Sequence, residues 1–231
     1  MLRRENYDEY SNLIEVIRNG RKVSGDAPAD DPEWRRQFTF AMHERSAPRA
    51  SKVARHILKK KAGRLLDLGC GPGSYAAAIL KRDKMAEATL LDRSAALEVA
   101  AELWQDTPLW KRIQTVPGDL FKTPFGQGYD TVLFSNILHI YNDRQNRTLL
   151  KKIHKALNPG GRVVLVDYFL TEDRTGPYQA SLFSLTMLLF TETGRTYTWK
   201  ETEALLQQTG YSRLRRIALK DDSGLLIGHK A

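Results

Sequence analysis

The sequence predicts an α/β fold in which N-terminal helices precede a mostly parallel, doubly wound sheet that ends in an antiparallel hairpin. From Arg64 onward, short continuous apolar runs alternate with helix-length amphipathic segments, the pattern of strands covered on both faces by crossover helices. A glycine-rich turn directly follows the first apolar run. At the C-terminus the alternation stops, and two strand-like runs flank Asp-Asp-Ser-Gly, which predicts a terminal hairpin.

Residues 1–62 read as a helical extension or cap, and residues 63–231 as the main domain. "YDEYSNLIEVIRNG" carries apolar residues at helical spacing and stops at Gly20; "VSGDAPADDP" (23–32) is a loop. "EWRRQFTFAMHERS" and "PRASKVARHILKKK" are two amphipathic helix candidates. The strands expected next are "RLLDLG", "EATLLD", "RIQTVPGD", "YDTVLFSN" and "RVVLVDYFL". Between them stand helices at "SYAAAILKR", "SAALEVAAELW" and "RQNRTLLKKIHKAL", the last closed by "NPGG". A helix around 178–191, another at "TWKETEALLQQTG" and the hairpin complete the chain.

Composition narrows the class. With 231 residues, 42% hydrophobic and 27% charged, the chain can bury a substantial core and reads as soluble and globular. "LFSLTMLLF" is too short to span a bilayer, and "MLRRENYDEY" lacks the apolar core of a signal peptide. The single cysteine, Cys70, allows no internal disulfide and fits a reducing, cytoplasmic setting. The net charge of +9 suggests an acidic partner, but Lys and Arg lie in small groups such as "KKKAGR" and "RLRR". A solvated basic surface is therefore the preferred reading over nucleic-acid binding.

"LLDLGCGPGS" sets Gly69, Gly71 and Gly73 between a strand and a helix, where backbone approaches a ligand closely and helix N–H groups are free. Asp92 ends the next strand, where a Rossmann-like fold puts the carboxylate that holds a ribose diol. The turn is G-x-G-x-G rather than G-x-G-x-x-G, and Asp67 precedes it. That added negative charge disfavours a pyrophosphate and suits a cofactor with a cationic end, S-adenosylmethionine. In "GDLF", Asp119 is placed to accept the adenine amino group, with Leu120 and Phe121 covering the ring. No metal site is expected.

Together "LLDLGCGPGS", "GDLF", "SNILHIYND", "KALNPGGRVVLVDYFL" and "TGRTYTWKETEALLQQTGY" resemble the catalytic domain of the S-adenosylmethionine-dependent O-methyltransferases of small molecules, the caffeate and acetylserotonin type. The resemblance covers about residues 30–231. It implies a seven-stranded sheet with an antiparallel strand near its edge. It also implies that "FTFAMHERS" caps the cofactor, with Phe38 and Met42 packing on substrate or cofactor and Ser46 near the methionine carboxylate. Gly69, Asp92, Asp119 and Leu120 would bind the cofactor. Ser135 stands where plant members often have a cofactor-contacting lysine, and Asn136 and Met187 would line the acceptor pocket with "FSLTMLLF". His139 falls on the general base and Asp167 on its supporting carboxylate. Ile140 and Thr196 depart from the pattern, standing where plant members carry Asp and Glu.

Methyl transfer from a sulfonium is an in-line displacement, so the protein must align an acceptor oxygen and remove its proton. A neutral imidazole within hydrogen-bond reach can do so as attack proceeds. The expected activity is therefore O-methylation of a phenolic or polyketide- or isoprenoid-like hydroxyl. Alternatives are C-methylation of a pigment-like acceptor and a cofactor-binding partner without catalysis. Nucleic-acid amino-methylation is disfavoured, since "SNIL" replaces the Asn/Asp-Pro-Pro-aromatic motif. The resemblance also implies an N-terminal winged-helix dimerisation module, for which only about 60 residues precede the glycine turn. A homodimer, or a separately encoded N-terminal half, is the expected partner.

Overall fold

The structure, a computed structural model, describes residues 10–20, 22 and 31–231. The expected loop at 23–32 lies almost wholly outside them, as do the first three residues of the expected first helix. That helix, α1 (Leu13–Asn19), ends at Gly20 in the left-handed conformation.

The two amphipathic segments expected next form a single helix, α2 (Pro32–Ile57), with Pro48 inside it. Asp31 caps its start by accepting from the Glu33 N–H. Proline removes one helical bond, but Glu44, Ala47 and Pro48 lie on the exposed face, so the freed carbonyl is open to solvent rather than buried. On the opposite face Ala50, Val53, Ala54 and Ile57 are buried in the core, which holds the helix together across the break.

Strands β1 (Arg64–Leu68), β2 (Glu87–Asp92), β3 (Ile113–Pro117), β4 (Tyr129–Ser135) and β5 (Leu157–Leu170) are parallel. A two-residue strand, β6 (Tyr197–Thr198), pairs with the end of β5. The hairpin is β7 (Tyr211–Ala218) and β8 (Ser223–Lys230). The order is β3-β2-β1-β4-β5-β8-β7, with β8 antiparallel to both neighbours, as the resemblance implies. β5 begins earlier than expected: Leu157 already pairs with Tyr129, and the "NPGG" that follows falls in the register shift before pairing resumes at Arg162.

Helices α3 (Ser74–Arg82), α4 (Ser94–Trp104), α5 (Asp143–Ala156), α6 (Tyr178–Phe190) and α7 (Trp199–Gln208) complete the fold. Alternate strand residues feed two cores. Leu65, Leu133 and Val164 face α2 and α3, while Leu66, Phe134 and Leu165 face α5 and α7. Among the described residues no helix is long and apolar enough to cross a membrane. The strand order reverses at β1 and β4, so the crevice beyond their C-terminal ends is where a ligand is expected.

Candidate active site

The turn after β1 is built as its glycines predict. Gly69, Gly71 and Gly73 have φ of 60°, 50° and 67°. A Cβ at Gly69 would meet Ile137 and one at Gly73 would meet Leu90, whereas Gly71 faces open space. Asp92 accepts from the Gly71 N–H at 2.7 Å and from the Arg93 N–H at 2.7 Å, tying β2 to the turn. Burial pushes its carboxyl above the ordinary range despite these bonds.

Asp67 is 1% exposed, and neither of its oxygens has a hydrogen-bond partner. Burial first, and then the neighbouring charge of Asp92, push its carboxyl from 3.8 up to about 8, against a weaker downward pull from the nearby Ala76 N–H, which lies outside hydrogen-bond geometry. Burial and the same two carboxylates push the Cys70 thiol up as well. A buried, unsatisfied carboxylate beside a glycine turn is costly alone and suits a cationic ligand.

The "GDLF" loop follows β3. Asp119 accepts from the N–H groups of Phe121 and Lys122 and pairs with Arg93 at 3.1 Å. Its carboxylate thus shapes the loop, with capacity for one further donor out of roughly four acceptor sites. Leu120 is buried; Phe121 is 37% exposed and stands edge-on to Tyr141. Lys152 on α5 donates to the carbonyls of Leu120 and Thr123 at 2.8 and 2.6 Å and sits over the Phe125 ring.

Beyond β4 the chain passes buried Ser135 and then Asn136, whose φ is 55° and whose N–H donates to Val166 O. A short 3-10 turn, Leu138–Ile140, then carries His139. His139 and Asp167, near the end of β5, are both buried, with Nδ1 2.7 Å from Asp167 Oδ1. That oxygen also accepts the Tyr168 N–H. The turn is held from three sides. Asn146 donates to Leu138 O and Tyr141 O, the Arg195 N–H donates to His139 O, and a capping box of Asn142 and Gln145 starts α5 just behind. Phe183 on α6 stands edge-on to the imidazole at 4.6 Å.

Other predicted residues are placed less directly. Ser46 donates to Met42 O within its own helix, so a contact to a ligand carboxylate requires that bond to be exchanged. Phe38 is 37% exposed and stacks on Trp34; Met42 is half-buried; Met187 is buried on α6. Thr196 is buried with its hydroxyl unpartnered, and Asp167 is the one carboxylate bonded to His139 among the described residues. Sequence reasoning missed His43, which joins α2 to Ser74 at 2.9 Å, and the Arg45–Arg49–Tyr168 cluster. The i, i+4 spacing of the two arginines was the available signal.

A doubly wound sheet with an inserted antiparallel strand, an acid-flanked glycine turn and a histidine–carboxylate pair at the adjoining strand tips give the layout of a Rossmann-like methyltransferase domain. The chain belongs to the O-methyltransferase domain family, whose model matches residues 12–212. It is 32% identical over 200 residues to the 3-hydroxy-5-methyl-1-naphthoate 3-O-methyltransferase of Streptomyces sahachiroi, covering 86% of this chain and 56% of that enzyme. The chain thus spans little more than half the length of that relative. Among solved structures, mitomycin 7-O-methyltransferase MmcR matches with a TM-score of 0.84 at 27% identity, over 97% of this chain and 68% of that one. Human N-acetylserotonin methyltransferase, in complex with S-adenosylmethionine, shares the fold at a TM-score of 0.85 and 23% identity, over 98% of this chain and 67% of that one.

Proposed function

We propose that the chain transfers a methyl group from S-adenosylmethionine to a hydroxyl of a small phenolic or polyketide-like molecule, with His139 as general base. The observation that carries this reading is the buried His139–Asp167 pair at the strand tips beside the glycine turn. Likeness to the naphthoate and mitomycin enzymes supports the acceptor class.

The unpartnered Asp67 carboxylate and the open face of Gly71 fit a cofactor with a cationic amino-acid end. Asp67 would supply the countercharge, Asp92 would take the ribose diol, and Asp119, Leu120 and Phe121 would receive the adenine. Ser46 and Ser135 would stand at the methionine end. Bound S-adenosylmethionine supplies an electrophilic methyl carbon.

Asp167 fixes the state of the base. A carboxylate only accepts, so His139 Nδ1 carries the proton and the lone pair of Nε2 is left for the acceptor hydroxyl. A phenol is a weak acid, so His139 removes the proton as the oxygen attacks rather than beforehand. Asp167 then stabilises the imidazolium. Burial of both side chains keeps water from competing for the methyl group. Phe38, Met42, Asn136 and Met187 would border the acceptor.

We read residues 1–62 as a cap on the domain at 63–231, acting in a cytoplasmic setting. The exposed apolar residues Ile14, Ile17, Tyr178 and Leu182 on α1 and α6 support a homodimer or a separate N-terminal-half partner. A monomeric mass by light scattering at micromolar concentration, with activity intact, refutes that partner. The catalytic reading is tested by a radiolabelled-methyl screen of phenols with wild type and His139→Ala. The variant is expected to lose turnover by roughly 10²–10⁴-fold while still binding S-adenosylmethionine calorimetrically. Near-normal turnover overturns the assignment.

A further inference from the structure

Beside the glycine turn, three buried polar atoms have no partner among the described residues: both carboxylate oxygens of Asp67 and the hydroxyl of Tyr75. Tyr75 is the second residue of α3, two places after Gly73, and is 5% exposed. Its ring belongs to the core shared by α2 and α3, a place that phenylalanine would fill equally well. Packing therefore accounts for the ring and leaves the hydroxyl, buried and unpaired at a cost in stability, without a reason.

The surroundings of that hydroxyl define what would pair with it. The Arg49 guanidinium and the Asn136 side chain approach its oxygen without reaching hydrogen-bond geometry. Arg49 is held where it is by Tyr168 and Asp221. The Asp67 carboxylate lies near the N–H of Ala76, the next residue along α3, and its charge reaches the phenol. Burial pushes the phenol above its ordinary value, so at neutral pH the hydroxyl keeps its proton and can donate. With a guanidinium beside it, the acceptor it favours is an anion. A ligand that meets both groups is thus positive towards Asp67 and negative towards Tyr75. The head of an α-amino acid carries both charges on one carbon.

We propose that Tyr75 is a cofactor-binding residue: its hydroxyl donates to the α-carboxylate at the methionine end of S-adenosylmethionine, while Asp67 takes the ammonium. The inference rests on the cofactor reading above and adds a residue to it. Ser46 must break a bond within its own helix to reach that carboxylate, whereas Tyr75 has none to break. The turn and Tyr75 form one continuous stretch, Gly69 to Tyr75, so the backbone that admits the cofactor also fixes the phenol.

The test uses S-adenosylhomocysteine and S-adenosyl-3-thiopropylamine, which keeps the ammonium and lacks the carboxylate. Both are titrated by calorimetry into wild type and Tyr75→Phe, a change that removes one oxygen and keeps the ring. The variant is expected to bind S-adenosylhomocysteine roughly tenfold or more weakly, and the decarboxylated compound as wild type does. Its ligand-free melting temperature should equal or exceed that of wild type, since the oxygen removed was unpaired. Equal loss for the two compounds, or unchanged affinity for S-adenosylhomocysteine, overturns the proposal. So does a lower melting temperature with both affinities intact, which marks a hydroxyl that serves the fold alone. Should wild type bind neither compound, the cofactor reading falls and Tyr75 with it; should wild type bind both and the variant match it, Tyr75 alone is rejected.

Discussion

Replacing Asp67 by Asn should make the ligand-free protein more stable and its cofactor binding weaker, two effects of opposite sign from one atom. The native carboxyl titrates at about 8, against 3.8 when unperturbed. Because the folded value is the higher one, Asp67 contributes no penalty below pH 4. Stability is then lost as pH rises through 4 to 8, and the loss levels off above 8. Each pKa unit corresponds to about 1.4 kcal/mol, so the raised value costs the folded state ~4 kcal/mol at pH 7, where Asp67 keeps its proton while the unfolded chain has lost it, and ~6 kcal/mol well above pH 8, where it ionises in place.

Asparagine does not ionise and escapes this slope, although its buried amide, left without partners, returns about 1–3 kcal/mol of the gain. The net expectation is a gain of about 2–4 kcal/mol at pH 8, a melting temperature higher by on the order of 10 °C, and an equal or lower one at pH 4.5. Melts followed by circular dichroism from pH 4.5 to 8.5 read the difference between the two proteins, in which Asp92 and the other titrating groups largely cancel. In wild type, S-adenosylmethionine should bind with release of a proton near pH 7, seen as a dependence of the calorimetric enthalpy on the buffer's ionisation enthalpy. Parallel stability profiles for the two proteins, or equal cofactor affinity, would show that Asp67 is not the stored negative charge inferred for it.

Asp167→Asn should lower turnover by about a hundredfold or more with little change in cofactor affinity, because an amide can donate to Nδ1 and leave the wrong nitrogen protonated; single-turnover kinetics and calorimetry separate the two. Gly194→Ala should cost about 1–3 kcal/mol of stability in urea melts and reduce kcat, since its Cβ would press on the carbonyls of His139 and Ile140 and on Thr191. Lys152→Met should raise the KM for S-adenosylmethionine several-fold more than that for the acceptor, because it frees the carbonyls that close the "GDLF" loop.

The parts legible in the sequence are those where local chemistry and tertiary structure agree. The glycines of the turn need left-handed backbone, and Asp92 sits at a strand end that any parallel sheet would place beside them. His139 and Asp167, 28 residues apart, were paired through the family resemblance and the adjacency of β4 and β5. What stayed hidden depends on packing. Pro48 reads as a helix start, yet burial of Ala50, Val53, Ala54 and Ile57 overrides it. Asp119 reads as a ligand contact, yet its carboxylate first satisfies the amides of its own loop. Nothing local to Lys152, Gly194 or Tyr168 announces a role, because each acts on a segment remote in sequence.

The site carries an electrostatic gradient that follows from these placements. Asp92 and Asp67 stand on the glycine-turn side, Asp67 holding its proton near neutral pH until a cation displaces it, while Arg45 and Arg49 stand by Tyr168 with Asp221 as their carboxylate partner among the described residues. Asp67, His139 and Asp167 are buried at the strand tips, so charge there acts through a medium less polarisable than bulk solvent. A cation is favoured at the first end, and His139 stands at the strand tip beside it. In the proposed reaction, methyl transfer from a sulfonium to a phenol would remove one positive charge from the first end and load a proton on His139, next to Asp167. The attraction that gathers the reactants is thereby weaker for the products, and the same charges that orient binding also favour release. Salt should accordingly weaken reactant binding more than product binding, a difference that depends on Asp67.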